Sequence, residues 1–260
     1  GFGTSSMFVK DNENVFEVES DNGYSIDTEN KQIVTTYTVD GVEYKKVLTI
    51  VPNSTTGRED TVEFKLVVTN KSDETHNIGA RLMIDTMLGE NDHAPFRIPN
   101  VGAVTTRTEL TGDDIPAMYQ AFDSLDAPTV ISTGSFAKGA EKPDMVQYNN
   151  WGISDDTVYI PECEAERTIG DSAVNAIWNQ DELAAGESVS YKMYYGLGKV
   201  DINRESDLVI GVTRVDTDFT VNEEGTGYNP VSIMGYLKNA GIANLNDFVS
   251  AVNCISGRNE

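Results

Sequence analysis

The sequence predicts a mainly β protein: a large antiparallel β-sandwich followed by a small C-terminal cluster of α-helices. Between about residues 6 and 220, a dozen short segments rich in β-branched and aromatic residues are separated by turns of Asn, Asp, Gly and Pro. In several of these segments apolar and polar residues alternate, as they do in half-buried antiparallel strands. The sandwich is therefore predicted from turn spacing and from alternation together.

The clearest local signal is a β-hairpin. Residues 33–39 and 42–51 have strand composition, and Asp40-Gly41 joins them with a two-residue type I′ turn signature. Residues 61–69 alternate, with four apolar side chains predicted to face the core: Val62, Phe64, Leu66 and Val68. Residues 188–195 repeat that pattern with Val189, Tyr191, Met193 and Tyr195. Weaker strand signals lie at 6–10, 15–19, 24–28, 78–85, 104–109, 129–135, 145–148, 172–178 and 208–220.

The amino-acid composition of the chain changes after Val221. Residues 222–228 are polar and glycine-rich, which indicates a linker between a sandwich domain, residues 1–221, and a helical cap, residues 222–260. Asn229-Pro230 predicts the start of a helix of about ten residues that Gly241 ends. A second helix is predicted to begin at Asn244 and to end before Gly257. Helices this short need a partner, so we expect them to pack on the sandwich or on each other.

The charge balance narrows the classes of partner. The chain has 19 Lys and Arg against 42 Asp and Glu, which gives a net charge of −23. This balance argues against nucleic acid and anionic membranes, which bind basic patches, and leaves a neutral ligand, a cation or a protein. The apolar runs are too short to cross a bilayer, so no membrane insertion is predicted.

The first residues, starting at Gly1, do not resemble a signal peptide, and we expect a piece of a longer protein.

The two cysteines, Cys163 and Cys254, form no recognisable metal pattern. In an exported protein they could be joined as a disulfide that ties the C-terminal tail to the main body. Two separate thiols fit the sequence equally well.

An acidic loop follows the strand predicted at 78–85. Asp85 and Asp92 could be the two carboxylates of a glycosidase, if the fold brings them to a suitable separation. Calcium is another reading, because this stretch offers the oxygen ligands that calcium prefers: Asp85, Glu90, Asn91 and Asp92. The other two interpretations are a turn whose Asp and Asn side chains bond its own backbone, and the rim of a sugar-binding site. His76 and His93 have no nucleophile-elbow serine near them, so the sequence predicts no nucleophilic triad.

Aromatic residues near polar amides indicate sugar binding, because rings stack on the C–H faces of a sugar and polar side chains bind its hydroxyls. The predicted stacking rings are Trp151, Tyr148, Tyr228 and Tyr236, and the predicted hydrogen-bonding residues are Asn150, Asp92 and Arg97. By contrast, Trp178, Tyr191 and Phe64 fall on inward-facing positions and are assigned to the core.

Several spaced motifs in one order carry a family resemblance over about residues 1–200: Ile84–Gly89, Asn91-Asp92, Pro95-Phe96, Gly112–Pro116, Pro143-Asp144, Asn150–Gly152, Asp171–Val174 and Tyr194–Leu197. They resemble a β-sandwich domain of large extracellular proteins of anaerobic bacteria. With helices after the sandwich, the chain is similar to the starch-binding domain of starch adherence system proteins, which belong to the cell-surface amylosome of a gut bacterium. This resemblance implies capture of an α-glucan, or malto-oligosaccharide, between sandwich and helices.

The sequence therefore predicts a non-catalytic carbohydrate-binding domain of an extracellular bacterial protein, and not an enzyme. Other domains of a larger surface complex are its expected partners. No cofactor is predicted, with calcium at the acidic loop as the alternative. The rival interpretation is a structural or adhesive cell-surface spacer without a sugar site.

Overall fold

A computed structural model describes residues 4–53, 58–126, 128–136 and 142–198, and the backbone of residues 201–203, 208–214 and 233–239. These residues divide into two compact units, one that ends at Leu197 and one that begins at Gly198.

Antiparallel strands account for most of the described chain. In chain order they are β1 (Ser6–Asp11), β2 (Asn14–Glu17), β3 (Tyr24–Asp27), β4 (Gln32–Val39), β5 (Val42–Val51), β6 (Thr61–Asn70), β7 (His76–Asp85), β8 (Phe96–Ile98), β9 (Gly102–Val104), β10 (Thr108–Thr111), β11 (Met118–Phe122), β12 (Ile131–Ser135), β13 (Met145–Asn150), β14 (Ser172–Leu183), β15 (Ser188–Leu197), β16 (Asp201–Asn203), β17 (Leu208–Arg214) and β18 (Ile233–Asn239). The described helices are a 3-10 turn at Gly112–Asp114 and α1 (Trp151–Ser154).

The first unit is the predicted β-sandwich. One sheet has six strands in the order β10-β13-β14-β7-β1-β2, and the other has nine in the order β3-β4-β5-β6-β15-β12-β11-β8-β9. Alternate side chains of the two sheets meet in one apolar core, in which Leu82, Tyr44 and Met193 are at most 1% exposed. Burial of these side chains is the main stabilising contribution to the unit, because each removes apolar area from water.

The predicted hairpin is confirmed. β4 and β5 pair from Gln32 and Thr49 up to the turn, where Val39 lies opposite Val42. Asp40 and Gly41 both have positive φ, 49° and 79°, as a type I′ turn requires.

The predicted inward faces of β6 and β15 are confirmed except at Val62, which is half-buried and lies outside the core cluster. Leu66 and Val68 are fully buried, and Phe64 packs against the same core. From β15, Tyr191 and Met193 are buried in that core, and Val189 and Tyr195 pack against it.

The nine-stranded sheet has an edge where its inner face reaches solvent. Phe64, Leu48, Ile33 and Ile26 lie opposite one another across β6, β5, β4 and β3. Phe64 and Leu48 pack on the core, whereas Ile33 is 43% and Ile26 is 62% exposed. The row therefore leaves the core as it approaches the edge strand β3.

The second unit shows a sheet where a helix was predicted. The helix expected after Pro230 is wrong over Ile233–Asn239, because these residues form β18 and pair along their whole length with β17. Each strand satisfies the backbone groups of the other, whereas a lone short helix with Gly235 inside it is only marginally stable. β16, β17 and β18 form a three-stranded antiparallel sheet. The helix predicted from Asn244 lies outside the described residues, as does the predicted domain boundary at Val221.

A segment that we call the strap, residues 151–162, covers the outer face of the six-stranded sheet. Beneath it Arg81 of β7 is 0% exposed, and its guanidinium lies 3.9 Å from the centre of the Phe8 ring. Two of its nitrogens donate to the backbone oxygens of Ser154 and Asp156. The buried cation thus fixes the strap through carbonyl groups, and no carboxylate of the described residues forms an ion pair with it.

Neighbouring amides hold the rest of the strap. Gln147 donates to the Pro161 carbonyl at 3.0 Å, and Asn149 donates to the Glu162 carbonyl at 2.9 Å. Both amides are buried polar groups on the outer face of the sheet, and the strap supplies the hydrogen-bond partners that they need. The strap can therefore cover this face although the face is not uniformly apolar. Among the helices of the described chain, none is long and apolar enough to cross a membrane.

Candidate functional site

Three carboxylates meet at one end of the six-stranded sheet. Asp85 is the last residue of β7, Asp92 lies in the loop after it, and Asp171 directly precedes β14. Each offers an oxygen that lies within 4.8 Å of the others. Asp85 and Asp171 are half-buried and Asp92 is exposed, so the cluster opens to solvent.

Pairing between β7 and β14 brings these residues together. Asp85 lies opposite Ala173, and just beyond them the Thr86 N–H donates to the Ser172 carbonyl at 3.0 Å. The Ser172 N–H in turn donates to the Asp92 carbonyl at 2.9 Å. The loop is thereby bonded to the start of β14, and Asp92 is held beside Asp171.

The loop has its own internal supports. Leu88 and Asn91 exchange backbone hydrogen bonds of 2.9 and 3.0 Å across a turn in which Gly89 has a φ of 62°. The Asn91 side chain donates to the Asp123 carbonyl at 2.8 Å and accepts from the His93 N–H at 2.9 Å. The amide of Asn91 is therefore committed to the fold of the loop.

The electrostatics of the cluster raise the pKa of one of its acids. Burial, followed by the charges of Asp92 and Asp85, raises the pKa of Asp171, while His93 opposes that shift. In the described part of the chain no Lys or Arg forms an ion pair with any of the three carboxylates. An Asp of this kind can hold a proton at a higher pH than an isolated carboxyl group, and can donate it in a hydrogen bond.

Trp151 borders this cluster. Its backbone N–H donates to the Asp171 carbonyl at 2.7 Å, and its half-buried ring packs beside Phe8, Met83 and Ala173 on the outer face of the sheet. The indole N–H donates to the Thr4 carbonyl at 2.9 Å, which fixes the orientation of the ring. The backbone of Trp151 is therefore bonded to one member of the cluster, and its ring packs on Ala173, the residue that pairs with Asp85.

The prediction that Tyr148 stacks on a ligand is wrong. Tyr148 faces the core from β13 and is 0% exposed, with its ring centre 5.1 Å from that of Phe96 and 5.3 Å from that of Tyr119. Burial leaves no ring face for a sugar.

The predicted hydrogen-bonding role of Asn150 is also revised. Its Oδ1 accepts from the Ile153 N–H at the start of α1, and its Nδ2 donates to the carbonyls of Ile169 and Asp171. This amide caps a helix and ties the strap to the strand that follows, so its polar atoms are already occupied.

The remaining predicted ligand residues lie elsewhere. Arg97 is in β8 of the nine-stranded sheet, with its guanidinium 5.6 Å from the centre of the Phe122 ring. Tyr236 belongs to β18 in the second unit, and Tyr228 lies outside the described residues. A ligand position between the sandwich and the tail therefore stays a prediction.

The structure also changes the set of oxygen ligands for a cation. Asp171 takes the place of Glu90, which is exposed, and of Asn91, whose amide is bonded within the loop. Carboxylate oxygens at this spacing are ligands that calcium prefers. Calcium binding stays a prediction.

Cys163 is a free thiol, and burial raises its pKa to about 11; Cys254 lies outside the described residues.

No family model matches the chain, and no curated protein matches it. Solved structures do resemble it. A galactose mutarotase related enzyme from Lactobacillus acidophilus has a TM-score of 0.39 at 11% identity, over 72% of this chain and 77% of that one. A putative aldose 1-epimerase from Escherichia coli K12 has a TM-score of 0.42 at 9% identity, over 67% of each chain. A polysaccharide lyase has a TM-score of 0.41 at 13% identity, over 94% of this chain and 36% of that one.

These comparisons correct one prediction. The expectation that the chain is not an enzyme is contradicted, because the β-sandwiches similar to it include a galactose mutarotase related enzyme and a putative aldose 1-epimerase. We therefore drop that expectation. At TM-scores of 0.39 to 0.42 and identities of 9 to 13% these resemblances assign no role to this chain, and a role has to come from its own residues.

Proposed function

We propose that the protein binds a carbohydrate at the surface formed by Trp151 and the three carboxylates. The observation that carries this proposal is the attachment of half-buried Trp151, through its backbone N–H, to Asp171, one of three carboxylates whose oxygens lie within 4.8 Å of one another. A pyranose has an apolar C–H face for the ring and hydroxyl groups that donate to carboxylates. Hydrogen bonds to ionised acceptors are stronger than neutral ones, which compensates for the small size of the surface.

The finer identity of the ligand follows from the resemblance to starch adherence system proteins. We propose an α-glucan or malto-oligosaccharide as the ligand, an extracellular location on a bacterial cell surface, and other domains of a surface complex as partners. The charge of −23 fits a ligand without phosphate or sulfate groups.

Isothermal titration with maltoheptaose tests this proposal, with D-galactose and cellohexaose as competing sugars. One ring and a few hydrogen bonds predict a Kd of about 10 to 1000 µM for the preferred sugar. Asp92→Asn should weaken binding about fivefold or more, because an amide replaces a charged acceptor while the exposed site keeps its fold. Asp73→Asn, another exposed aspartate, is the matched control and should leave binding unchanged.

Absence of heat with all three sugars at millimolar concentration would reject the carbohydrate proposal. That result would favour a structural or adhesive spacer. Binding of galactose or cellohexaose in preference to maltoheptaose would retain the site and reject the α-glucan.

Proton transfer on the bound sugar is a second candidate function. The observation that favours it is the raised pKa of Asp171 beside the exposed carboxylate of Asp92. Asp92 could take the proton of the anomeric hydroxyl while Asp171 gives one to the ring oxygen. The bond between the anomeric carbon and that oxygen would break, a carbonyl would form, and closure on the other face would return both protons.

Polarimetry on freshly dissolved α-D-glucose and α-D-galactose measures this activity. An active protein should speed the change in optical rotation, and Asp171→Asn should lower the protein-dependent rate at least tenfold. Asp73→Asn again serves as the control. A protein-dependent rate of zero with both sugars would leave binding as the sole proposed role of the cluster.

A further inference from the structure

A cavity of about 180 Å³ lies between the two sheets of the sandwich, away from the strap. On one side it is bounded by the start of β1 and the end of β7, and on the other by β4, β5 and β6. Its walls are mainly apolar and include Phe64, Leu48 and Ile33.

Among the described residues that line this cavity, Lys46 is the one with a charged side chain. Its amine donates a hydrogen bond to the Val18 carbonyl, which leaves two of its three N–H groups for another acceptor. Burial lowers the pKa of Lys46, and the charges of Glu17 and Glu19 oppose that shift. None of the described residues that line the cavity is acidic. A negative group inside it would restore stabilisation that the ammonium loses on leaving water.

Thr35 supplies a second polar group. It lies opposite Lys46 in the pairing of β4 with β5, so both side chains are on the same face of the sheet. The Thr35 Oγ1 is buried and has no hydrogen-bond partner in the part of the chain that the structure describes. A buried hydroxyl without a partner is destabilising, and an acceptor in the cavity would relieve this cost.

We propose that this cavity binds a small carboxylate whose apolar body is about the size of one six-membered ring. The carboxylate accepts from Lys46 and Thr35, and the ring contacts Phe64, Leu48 and Ile33. Cavity volume sets the size class, since a dry apolar cavity of about 150 Å³ is known to hold benzene. Ligand sites for larger molecules usually exceed about 300 Å³, so an oligosaccharide does not fit.

The wall chemistry separates this site from the proposed sugar site. A monosaccharide would bury several hydroxyl groups against Phe64, Leu48 and Ile33, none of which can bond them. Exposed Ile33 and Ile50, 43% and 48% accessible, extend the apolar lining along the same sheet towards solvent. The ligand class is therefore a monocarboxylate with one apolar group.

The test is a fluorine NMR titration with 4-fluorobenzoate, with 4-fluorobenzyl alcohol as the neutral analogue. The expected Kd for 4-fluorobenzoate is in the millimolar range, which is usual for a ligand of about ten heavy atoms. The alcohol should bind at least fivefold more weakly. Lys46→Met should weaken 4-fluorobenzoate binding about tenfold or more, and Thr35→Val, which keeps the shape of the side chain, about threefold.

Lys45→Met is the matched control, because Lys45 is the adjacent residue of β5 and points to the opposite face of the sheet. It changes the net charge equally and should leave the Kd within twofold. Equal binding of the acid and the alcohol, an unchanged Kd in Lys46→Met, or no line broadening at 20 mM 4-fluorobenzoate would each overturn the proposal. Since maltoheptaose is measured separately, failure here leaves the carbohydrate proposal unaffected.

Discussion

At the scale of single residues, the site was partly visible in the sequence. Asp85, Asp92 and Trp151 stood out because acid and ring types near strand ends are chemically informative. Asp171 was missed as a member of the cluster, because only the pairing of β7 with β14 brings it beside residues distant in sequence. Tyr148 could have been placed in the core, since it lies two residues from Val146 on one face of β13.

Asp171 gives a stability prediction with a definite sign. Its pKa is raised in the folded protein, so the folded state holds this proton up to a higher pH than the unfolded chain does. The free energy of unfolding therefore falls as pH rises from the unfolded pKa through the folded pKa. Above that window the folded state carries the full cost of an ionised Asp171 near Asp92 and Asp85.

Asp171→Asn should accordingly raise the melting temperature at pH 7, by about 1 °C or more, and by less at pH 3. Differential scanning calorimetry at the two pH values measures this difference. Asp73→Asn, on an exposed loop, should change the melting temperature little at either pH. A lower melting temperature for Asp171→Asn at pH 7 would show that its carboxylate stabilises the fold.

At the scale of elements, strands with one buried face were the ones that the sequence predicted well. β5 and β6 alternate and follow clear turns, so their bounds were found closely. β11 was missed because all five of its residues are buried, which removes the alternation. β18 was mistaken for a helix because apolar residues at positions 233, 234 and 237 also fit a helical face, and only pairing with β17 decides between them.

The strap gives a prediction at this scale. Arg81→Met should destabilise the first unit by about 2 to 4 kcal/mol, because the carbonyls of Ser154 and Asp156 lose their donor inside the protein. Urea unfolding measures the change. Arg81→Lys should recover only part of the loss, since one amine cannot reach all the acceptors of a guanidinium.

Arg167→Met is the control for Arg81→Met. The side chain of Arg167 is 65% exposed and forms a surface ion pair with Glu164, so its removal should cost less than about 0.5 kcal/mol. In Arg81→Met, the fluorescence of Trp151 should also shift at urea concentrations below the main transition, as the strap loosens first. Equal costs for the two variants would mean that the carbonyl contacts of Arg81 contribute little.

At the scale of the whole molecule, composition and turn spacing were enough to predict a β-sandwich. They could not predict that the sheets differ so much in width, nine strands against six, because strand order is set by long-range pairing. The cavity beside Lys46 is formed where the two sheets meet, so no local sequence pattern could predict it.

The uncovered inner face at β3 affects how the protein behaves in concentrated solution. The exposed isoleucines offer a second molecule apolar contact, and the edge strand beside them offers unpaired backbone groups. Together these are the usual start of association between edge strands. The surplus of carboxylates keeps copies apart while their repulsion acts over about 10 Å, at 0.1 M salt. In molar salt that range shrinks to about 3 Å, so a high-salt precipitant would remove the barrier that prevents the molecules from joining edge to edge.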